Sequence, residues 1–263
     1  MTGEDTDRLF TRVATVTYGA IAYLAALASL TYLIGFLGNL WVPKGIDDGA
    51  SGATWLAVTV DLALVSVFAA QHSVMARPWF KRAWTRVVPA SIERSTYVLL
   101  ASAVLALLLW QWRPLDDEVW SVGPPWARGL AWALFALGWV IALSSTFLIG
   151  HYDMFGLSQV LARWKQRPYS GPAFQVPGLY KLVRHPLYLG FVIAFWAGPD
   201  MSAGRLLYAL AATAYVLAAI PFEEHDLRRE LGDAYVRYAE EVPSLVPWRR
   251  SGPRRDVADT LRP

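Results

Sequence analysis

The chain alternates long apolar stretches with short polar ones. Four long stretches are followed by two shorter ones, with approximate bounds 13–41, 54–76, 96–112, 129–150, 187–198 and 204–221. A membrane-spanning helix needs about 20 apolar residues, so the four long stretches are predicted to span, and the last two to form a tight hairpin. The fifth is short and broken by Gly190, which leaves its crossing open. The pattern predicts an all-α fold, a polytopic membrane helical bundle with five to six transmembrane segments.

Lysine and arginine are concentrated in alternate polar segments. Segments 77–95 and 151–186 carry five each, whereas 42–53 has only Lys44. Because positively charged loops stay in the cytoplasm, both termini are predicted to be cytoplasmic. Two cytoplasmic termini require an even number of crossings, which favours six over five.

The same pattern divides the chain into four parts. We expect a cytoplasmic N-terminal segment, a transmembrane domain with two cytoplasmic connections, a capping helix with the C-terminal signature, and a disordered tail. Their bounds are 1–12, 13–221 with connections 77–95 and 151–186, 222–248 and 249–263. Within the third part, residues 222–241 are predicted to form one amphipathic cytoplasmic helix.

Composition excludes several classes of protein. Apolar residues make up 55% and charged residues 17%, which is too apolar for an ordinary soluble domain. Cysteine is absent, so the chain has no disulfide framework, no thiolate metal site and no cysteine nucleophile. No phosphate-binding loop, GxGxxG pattern or GxSxG elbow occurs, and nothing in the sequence indicates nucleic-acid binding.

The four histidines lie at predicted cytoplasmic ends of apolar segments: His72, His151, His185 and His225. Helix ends are polar, which is one explanation. The other is a polar site at the cytoplasmic face, because polar groups near the bilayer core are costly unless they serve a function. The histidines are too widely spaced for a ligand pair on one helix, so no metal is predicted.

The C-terminal third carries a specific motif. GLYKLVRHPLYLG, followed by FEEHDLRRELGDAYVRYAEEVPSLVPW, resembles the signature of the isoprenylcysteine carboxyl methyltransferase superfamily over about residues 178–248. Upstream, AAQHSVMARPWFKRAW (69–84) and LIGHYDMFGLSQV (148–160) resemble the branch that contains the NnrU-like proteins and the methanethiol S-methyltransferases. The resemblance implies a membrane methyltransferase, in a bacterial inner membrane, that uses S-adenosylmethionine.

The resemblance also implies a cofactor site. Pro186 starts a helix whose N–H groups can meet a carboxylate, and a glutamate can accept from the cofactor ammonium. Of Glu223 and Glu224, the second is preferred, because it is the one matched in the family, and the first is interpreted as solvated. The predicted cofactor-binding residues are Tyr180, His185, Tyr188, Gly190, Glu224 and His225.

The implied reaction converts methanethiol to dimethyl sulfide and needs a base, because the thiolate is the nucleophile. His151 is the first candidate and His72 the second, with Asp153 able to stabilise an imidazolium. Arg184 is a candidate reactant contact or an interfacial arginine. Tyr152 and Gln159 are candidate substrate contacts.

Alternative functions remain for this sequence. They are an NnrU-like protein of unknown or assembly role, a methyltransferase for a larger thiol or a carboxyl group, a sterol-type reductase with a nicotinamide cofactor, and a transporter. The predicted partners are methanethiol and the lipid bilayer, and the oligomeric state is open.

Overall fold

The computed structural model describes the backbone of residues 3–50 and 52–248 and the side chains from residue 9 onward within them. The predicted tail 249–263 lies outside the described residues. The elements, in chain order, are α1 (Gly3–Gly38), α2 (Thr54–Ala76), α3 (Pro78–Trp84), α4 (Ala90–Gln111), β1 (Glu118–Ser121), α5 (Pro125–Ile149), α6 (His151–Met154), α7 (Leu157–Trp164), a 3₁₀ turn (Gly178–Lys181), α8 (Pro186–Trp196), β2 (Asp200–Ser202), α9 (Ala203–Leu231) and α10 (Asp233–Glu241).

Within the described residues, five helices are long and apolar enough to cross a membrane: α1, α2, α4, α5 and α9. At 1.5 Å per residue, the 11 residues of α8 extend about 17 Å, roughly half the hydrocarbon thickness. The predicted polytopic helical membrane bundle is confirmed, and the chain is an integral membrane protein.

The first compact unit contains Met1–Asp117 and Gly150–Pro172. Helix α4 packs against α1 and α2, and α7 packs against α1 and α4. The Tyr18 hydroxyl donates to Thr96 Oγ1 at 3.0 Å, which joins α1 to α4. At the end of α4, Lys44 Nζ donates to the carbonyls of Trp110 and Trp112 at 2.6 and 2.7 Å. A cation there satisfies carbonyls that a helix end leaves without intrahelical partners.

The second unit contains Glu118–Ile149 and Ala173–Pro263. Its main contact is α5 against α8, where the helices meet at Gly138 and Gly190. A Cβ at Gly138 would lie 2.6 Å from the Ala194 nitrogen, and one at Gly190 would lie 2.5 Å from the Ala142 nitrogen. Glycine is therefore required at this crossing because any side chain would push the helices apart.

Helices α8 and α9 form the predicted hairpin, and β2 lies at its turn. Strand β2 pairs antiparallel with β1, with Ser121 opposite Asp200. Arg128 donates to both Asp200 carboxylate oxygens at 2.8 and 2.7 Å, and the Ser121 hydroxyl donates at 2.6 Å. These hydrogen bonds, to which Arg128 contributes most, lower the pKa of Asp200 to about 2. The turn of the hairpin is thus held by a charged pair at its outer edge.

The predicted single helix 222–241 is wrong. Helix α9 continues through Pro221 to Leu231, and the break comes at Gly232, where φ is +57°. Proline removes one N–H from the ladder but allows the helix to continue, whereas a left-handed glycine ends it. The two polar connections also contain short helices, α3, α6 and α7, that the pattern did not predict.

Candidate functional site

The RHPLY motif forms the start of α8 in the second unit. His185 is the N-cap residue and Pro186 occupies the first turn, where a missing N–H costs nothing. The backbone nitrogens of Arg184 and His185 donate to the carbonyls of Pro243 and Ser244 at 2.9 and 3.0 Å. The motif is therefore held by main-chain pairing with a segment that follows α10.

Arg184 makes two hydrogen bonds to one oxygen of a buried carboxylate. Its Nε and Nη2 donate to Glu224 Oε1 at 2.9 and 2.6 Å, and its Nη1 donates to the carbonyls of Ala239 and Val242. A planar guanidinium is suited to this fork-like arrangement. Arg184 thus ties α9 to the end of α10, and its predicted contact with the reactants stays a prediction.

Glu224 is the acceptor at the centre of this cluster. Its Oε1 accepts from Arg184, from His185 Nε2 at 3.2 Å and from the Ser244 hydroxyl at 3.3 Å, and its Oε2 accepts from Arg228 at 3.0 Å. The side chain is buried. A carboxylate offers about four lone-pair sites, so Glu224 is nearly saturated by the protein itself.

Next to it, Glu223 meets the first turn of α8. The Tyr188 hydroxyl donates to Glu223 Oε2 at 2.8 Å, and His185 Nδ1 lies 3.9 Å from the same oxygen. The rings of His185 and Tyr188 are stacked, with centroids 5.5 Å apart and an interplanar angle of 19°. The structure thus brings the predicted residues His185 and Tyr188 together with the glutamate that was interpreted as solvated.

A tyrosine cluster lies beside this site in the same unit. Tyr238 donates to the Tyr180 carbonyl at 2.8 Å, and the Tyr180 hydroxyl is 3.5 Å from the Ser145 carbonyl. Tyr235 is 2% exposed, and among the described residues its hydroxyl has no hydrogen-bond partner. Burial, and then the negative charge of Glu224, raise the pKa of Tyr235 to about 12, so this phenol stays a neutral donor.

Two predicted cofactor residues have other surroundings. Gly190 is buried at the α5–α8 crossing, which by itself explains the glycine. His225 is exposed on α9, and no hydrogen bond between described residues joins it to Glu224. Contact of either residue with a cofactor stays a prediction.

In the first unit, His151 begins α6 after Gly150, whose φ is +110°. His151 is buried, and its Nε2 lies 2.9 Å from the Tyr23 hydroxyl of α1. Burial lowers the pKa of His151 below its usual value of 6.5, which favours the neutral ring at pH 7. Asp153, which is predicted to stabilise an imidazolium, accepts from the Tyr169 hydroxyl at 2.9 Å, and its role toward His151 stays a prediction.

His72 forms a second tyrosine–histidine pair in this unit. Its Nε2 lies 2.9 Å from the Tyr97 hydroxyl, and its ring stacks on Phe68 at 5.3 Å. Among the described residues, its Nδ1 is buried without a hydrogen-bond partner. Tyr23 and Tyr97 were not predicted, since a single tyrosine inside an apolar stretch carries no local signal of its partner.

The remaining candidates lie near α6. Tyr152 is exposed, and Gln159 Nε2 donates to the Asp153 carbonyl at 3.3 Å. Among the described residues, no group of three or more histidine, aspartate or glutamate side chains could hold a metal ion.

Known proteins match this chain over nearly its whole length. The NnrU protein family matches residues 62–203. A methanethiol S-methyltransferase of Mycobacterium tuberculosis is 53% identical over 237 residues, covering 90% of this chain and 97% of that protein. A methanethiol S-methyltransferase of Pseudomonas sp. (strain GM41(2012)) is 53% identical over 239 residues, covering 90% of this chain and 92% of that protein. Methanethiol S-methyltransferase 2 of Bradyrhizobium diazoefficiens is 48% identical over 259 residues, 97% and 98% respectively.

The chain belongs to the NnrU and methanethiol S-methyltransferase family. The predicted family membership is thereby confirmed. No solved structure matches this chain.

The NnrU match covers a shorter part of this chain than the methanethiol S-methyltransferase matches do. The NnrU match includes His72, His151 and His185 but ends at residue 203, before Glu223 and Glu224. The methanethiol S-methyltransferase matches cover at least 90% of this chain. This family resemblance therefore extends over most of the chain, well beyond the part that NnrU matches.

The start of α8 brings a carboxylate, backbone amides and ring faces close together. Glu223 presents a half-exposed carboxylate, and the Leu187 amide lies in the first turn of α8, where the N-cap side chain makes no capping bond among the described residues. The His185–Tyr188 stack offers a flat surface next to both.

Proposed function

We propose that this protein is an S-adenosylmethionine-dependent methyltransferase that converts methanethiol to dimethyl sulfide. The observation that carries the proposal is about 50% identity, over nine-tenths or more of the chain, to several proteins named methanethiol S-methyltransferase. The hydrogen-bonded RHPLY cluster supports it, since it joins carboxylate, imidazole and phenol groups at a helix start.

The residues proposed to hold the donor are those at the start of α8. The Leu187 amide suits the donor carboxylate because N–H groups at a helix N-terminus bind anions. Tyr180 and the stacked His185 and Tyr188 suit the nucleoside, through ring faces and hydroxyls. When bound, S-adenosylmethionine supplies an electrophilic methyl group, which a thiolate sulfur takes by in-line displacement.

His151 is proposed as the base that takes the thiol proton at a ring nitrogen. Burial lowers its pKa, so the ring is neutral and ready to accept near pH 7. His72 is the second candidate. A dry apolar setting favours the loss of charge when a thiolate meets a cationic donor.

The proposed location is a bacterial inner membrane with both termini in the cytoplasm. The charge of segments 77–95 and 151–186 supports this orientation. Methanethiol is apolar and partitions into the bilayer, whereas the charged donor must come from the cytoplasm.

The test is headspace gas chromatography of membranes that contain the protein, supplied with methanethiol and S-adenosylmethionine. We expect dimethyl sulfide from the wild type, none without the donor, and a large loss in the double variant Tyr188→Phe with His185→Ala. Glu230→Gln, which changes an exposed carboxylate of helix α9, is the control and should keep full activity.

Two negative results have different meanings. Folded wild-type protein that binds S-adenosylmethionine but makes no dimethyl sulfide would refute the acceptor and retain a methyltransferase. Protein that neither binds the donor nor makes product would refute the proposed function and favour the assembly role.

A further inference from the structure

Asp61 is a fully buried carboxylate in the membrane-spanning helix α2 of the first unit, and the proposed methyl transfer does not use it. Its Oδ1 accepts from the backbone N–H of Arg113 at 2.9 Å. Among the described residues, its Oδ2 has no hydrogen-bond partner, and no lysine or arginine side chain forms an ion pair with it. A buried carboxylate is costly unless a donor or a cation satisfies it, and an ionisable residue in a membrane span indicates a functional site.

A cavity of about 200 Å³ lies between the start of α2 and the segment that follows α4. Ala57, one helical turn before Asp61 on the same face of α2, lines this cavity. Arg113, whose backbone N–H holds the other carboxylate oxygen, lines it as well. The Asp61 carboxylate therefore adjoins two residues of the cavity wall, and its Oδ2 is available to a donor from a ligand.

The remainder of the wall is suited to an anion. Lys44 lines the cavity, and its Nζ donates to the carbonyls of Trp110 and Trp112, which uses two of its three hydrogens. The guanidinium of Arg113 supplies a second cation. Ala53, the N-cap residue of α2, also lines the cavity and has no side-chain oxygen, so the first amides of α2 lack a side-chain cap. Such N–H groups at a helix start bind anions.

The position of the cavity favours a lipid as the ligand. Helices α2 and α4 are both long enough to span a membrane, and the cavity lies where one begins and the other has ended. Trp55 in the first turn of α2 and Trp110 in the last turn of α4 are both exposed. Tryptophan side chains of this kind lie at the level of the lipid headgroups. A headgroup with a phosphate and a primary ammonium close together matches both kinds of group in the wall.

We propose that this cavity binds the headgroup of an aminophospholipid of the phosphatidylethanolamine type. Asp61 Oδ2 accepts from the ammonium, and Lys44, Arg113 and the first amides of α2 hold the phosphate. A bound headgroup thereby links the start of α2 to the end of α4. This inference is independent of the proposed function, because it concerns the end of α2 opposite to His72.

Native mass spectrometry of the full chain, released from detergent, measures the binding of single lipids. Three probes with identical acyl chains share the phosphate and differ beyond it. Phosphatidylethanolamine has the ammonium, phosphatidylcholine has methyl groups in place of the ammonium hydrogens, and phosphatidylglycerol has no cation. We expect phosphatidylethanolamine to bind roughly tenfold or more tightly than either of the others, as for one charge-assisted hydrogen bond.

Asp61→Asn removes the charge and keeps an oxygen for the Arg113 amide. We expect this variant to bind phosphatidylethanolamine roughly tenfold more weakly, and phosphatidylcholine within about twofold of the wild type, which also shows that it is folded. Arg113→Gln should weaken all three lipids alike, because all three carry the phosphate. Asp116→Asn, which changes an exposed carboxylate three residues after Arg113, is the control and should leave all three unchanged.

Three results would overturn the proposal. Equal binding of the three lipids by the wild type would exclude recognition of the ammonium, and so would an Asp61→Asn variant that keeps the preference for phosphatidylethanolamine. Unchanged binding by Arg113→Gln would exclude its contact with the phosphate. Soluble phosphoethanolamine separates the two sources of this chemistry. Its failure to displace the lipid at equal concentration supports the lipid headgroup, whereas displacement would assign the cavity to a soluble phosphomonoester.

Discussion

Replacing Arg184 by lysine tests whether the guanidinium holds the C-terminal segment in place. Arg184 makes four hydrogen bonds, two to Glu224 and two to the carbonyls of Ala239 and Val242. A lysine ammonium is a single point of charge and cannot reach both groups with the same geometry. Loss of two bonds that involve a charged donor, at about 1.5–3 kcal/mol each and not fully additive, should cost about 3 kcal/mol.

The cost should appear as local opening of residues 233–244. Hydrogen–deuterium exchange with mass spectrometry measures that opening, and about 3 kcal/mol corresponds to a roughly 100-fold faster exchange of these amides. Arg228→Lys is the matched control, because Arg228 contacts the same carboxylate at 3.0 Å but has a side chain that is 48% exposed. An exposed pair contributes at most about 1 kcal/mol, or roughly fivefold.

The comparison between the two variants shows whether Arg184 specifically holds residues 233–244 in place. If Arg184→Lys and Arg228→Lys change exchange equally, or if the faster exchange appears throughout α9 as well, Arg184 does not act as a specific tie to the segment after α10. Product formation by Arg184→Lys at saturating donor would further separate positioning from direct participation, since a positioning residue leaves turnover partly intact.

Three further predictions follow from other contacts. Gly190→Ala should lower the melting temperature strongly, because its Cβ would lie 2.5 Å from a backbone nitrogen, whereas Gly129→Ala, which meets nothing within 4 Å, should not; similar melting temperatures would contradict the packing argument. If His151 is the base, the acid limb of kcat/KM should lie below pH 6.5, because burial lowers the pKa of the ring, and a limb at or above that pH would contradict the assignment. The hydrogen bonds that lower the pKa of Asp200 to about 2 should stabilise the protein fully above pH 3.8, the pKa of the unfolded state, and this stabilisation should be lost as the pH falls through 2. The difference in melting temperature between the wild type and Asp200→Asn should therefore shrink over that pH range. A constant difference would refute this role of Asp200.

The helices could be predicted from the sequence because a bilayer imposes length and polarity on each span. Helix α2 was predicted with its observed bounds, 54–76, since Ser51 and Gly52 precede it and Arg77 and Pro78 follow it. The end of α9 was not predicted correctly, because Pro221 and the change to charged residues both indicated a helix boundary, whereas the helix continues to Leu231. Packing of Tyr235 and Tyr238 of α10 with Leu227 and Leu231 of α9 favours the longer helix, and tertiary contacts of this kind leave no periodic signal in the sequence.

The candidate site was predictable to the level of the motif but not of its hydrogen bonds. The order of the letters in RHPLY indicated a helix start with charged neighbours, and the structure has that arrangement. Which of Glu223 and Glu224 is engaged by Arg184 depends on their rotation around α9 and on the position of residues 239–244. Pairs such as Tyr23 with His151, 128 positions apart, are likewise fixed only by how the helices pack.

Because the RHPLY motif pairs with residues 243–244, its surroundings can form only after the ribosome has made both parts of the chain. Arg184 receives its last side-chain partner 58 positions later, at Val242. At about 5–20 residues per second, the ribosome needs roughly 3–12 seconds to make that stretch. By the end of this interval α8 and α9 have been made and can enter the membrane, whereas Arg184 and Glu224 gain the segment that encloses them only then. The end of the second unit that is proposed to hold the donor is therefore completed late, after the helices that precede it have been made.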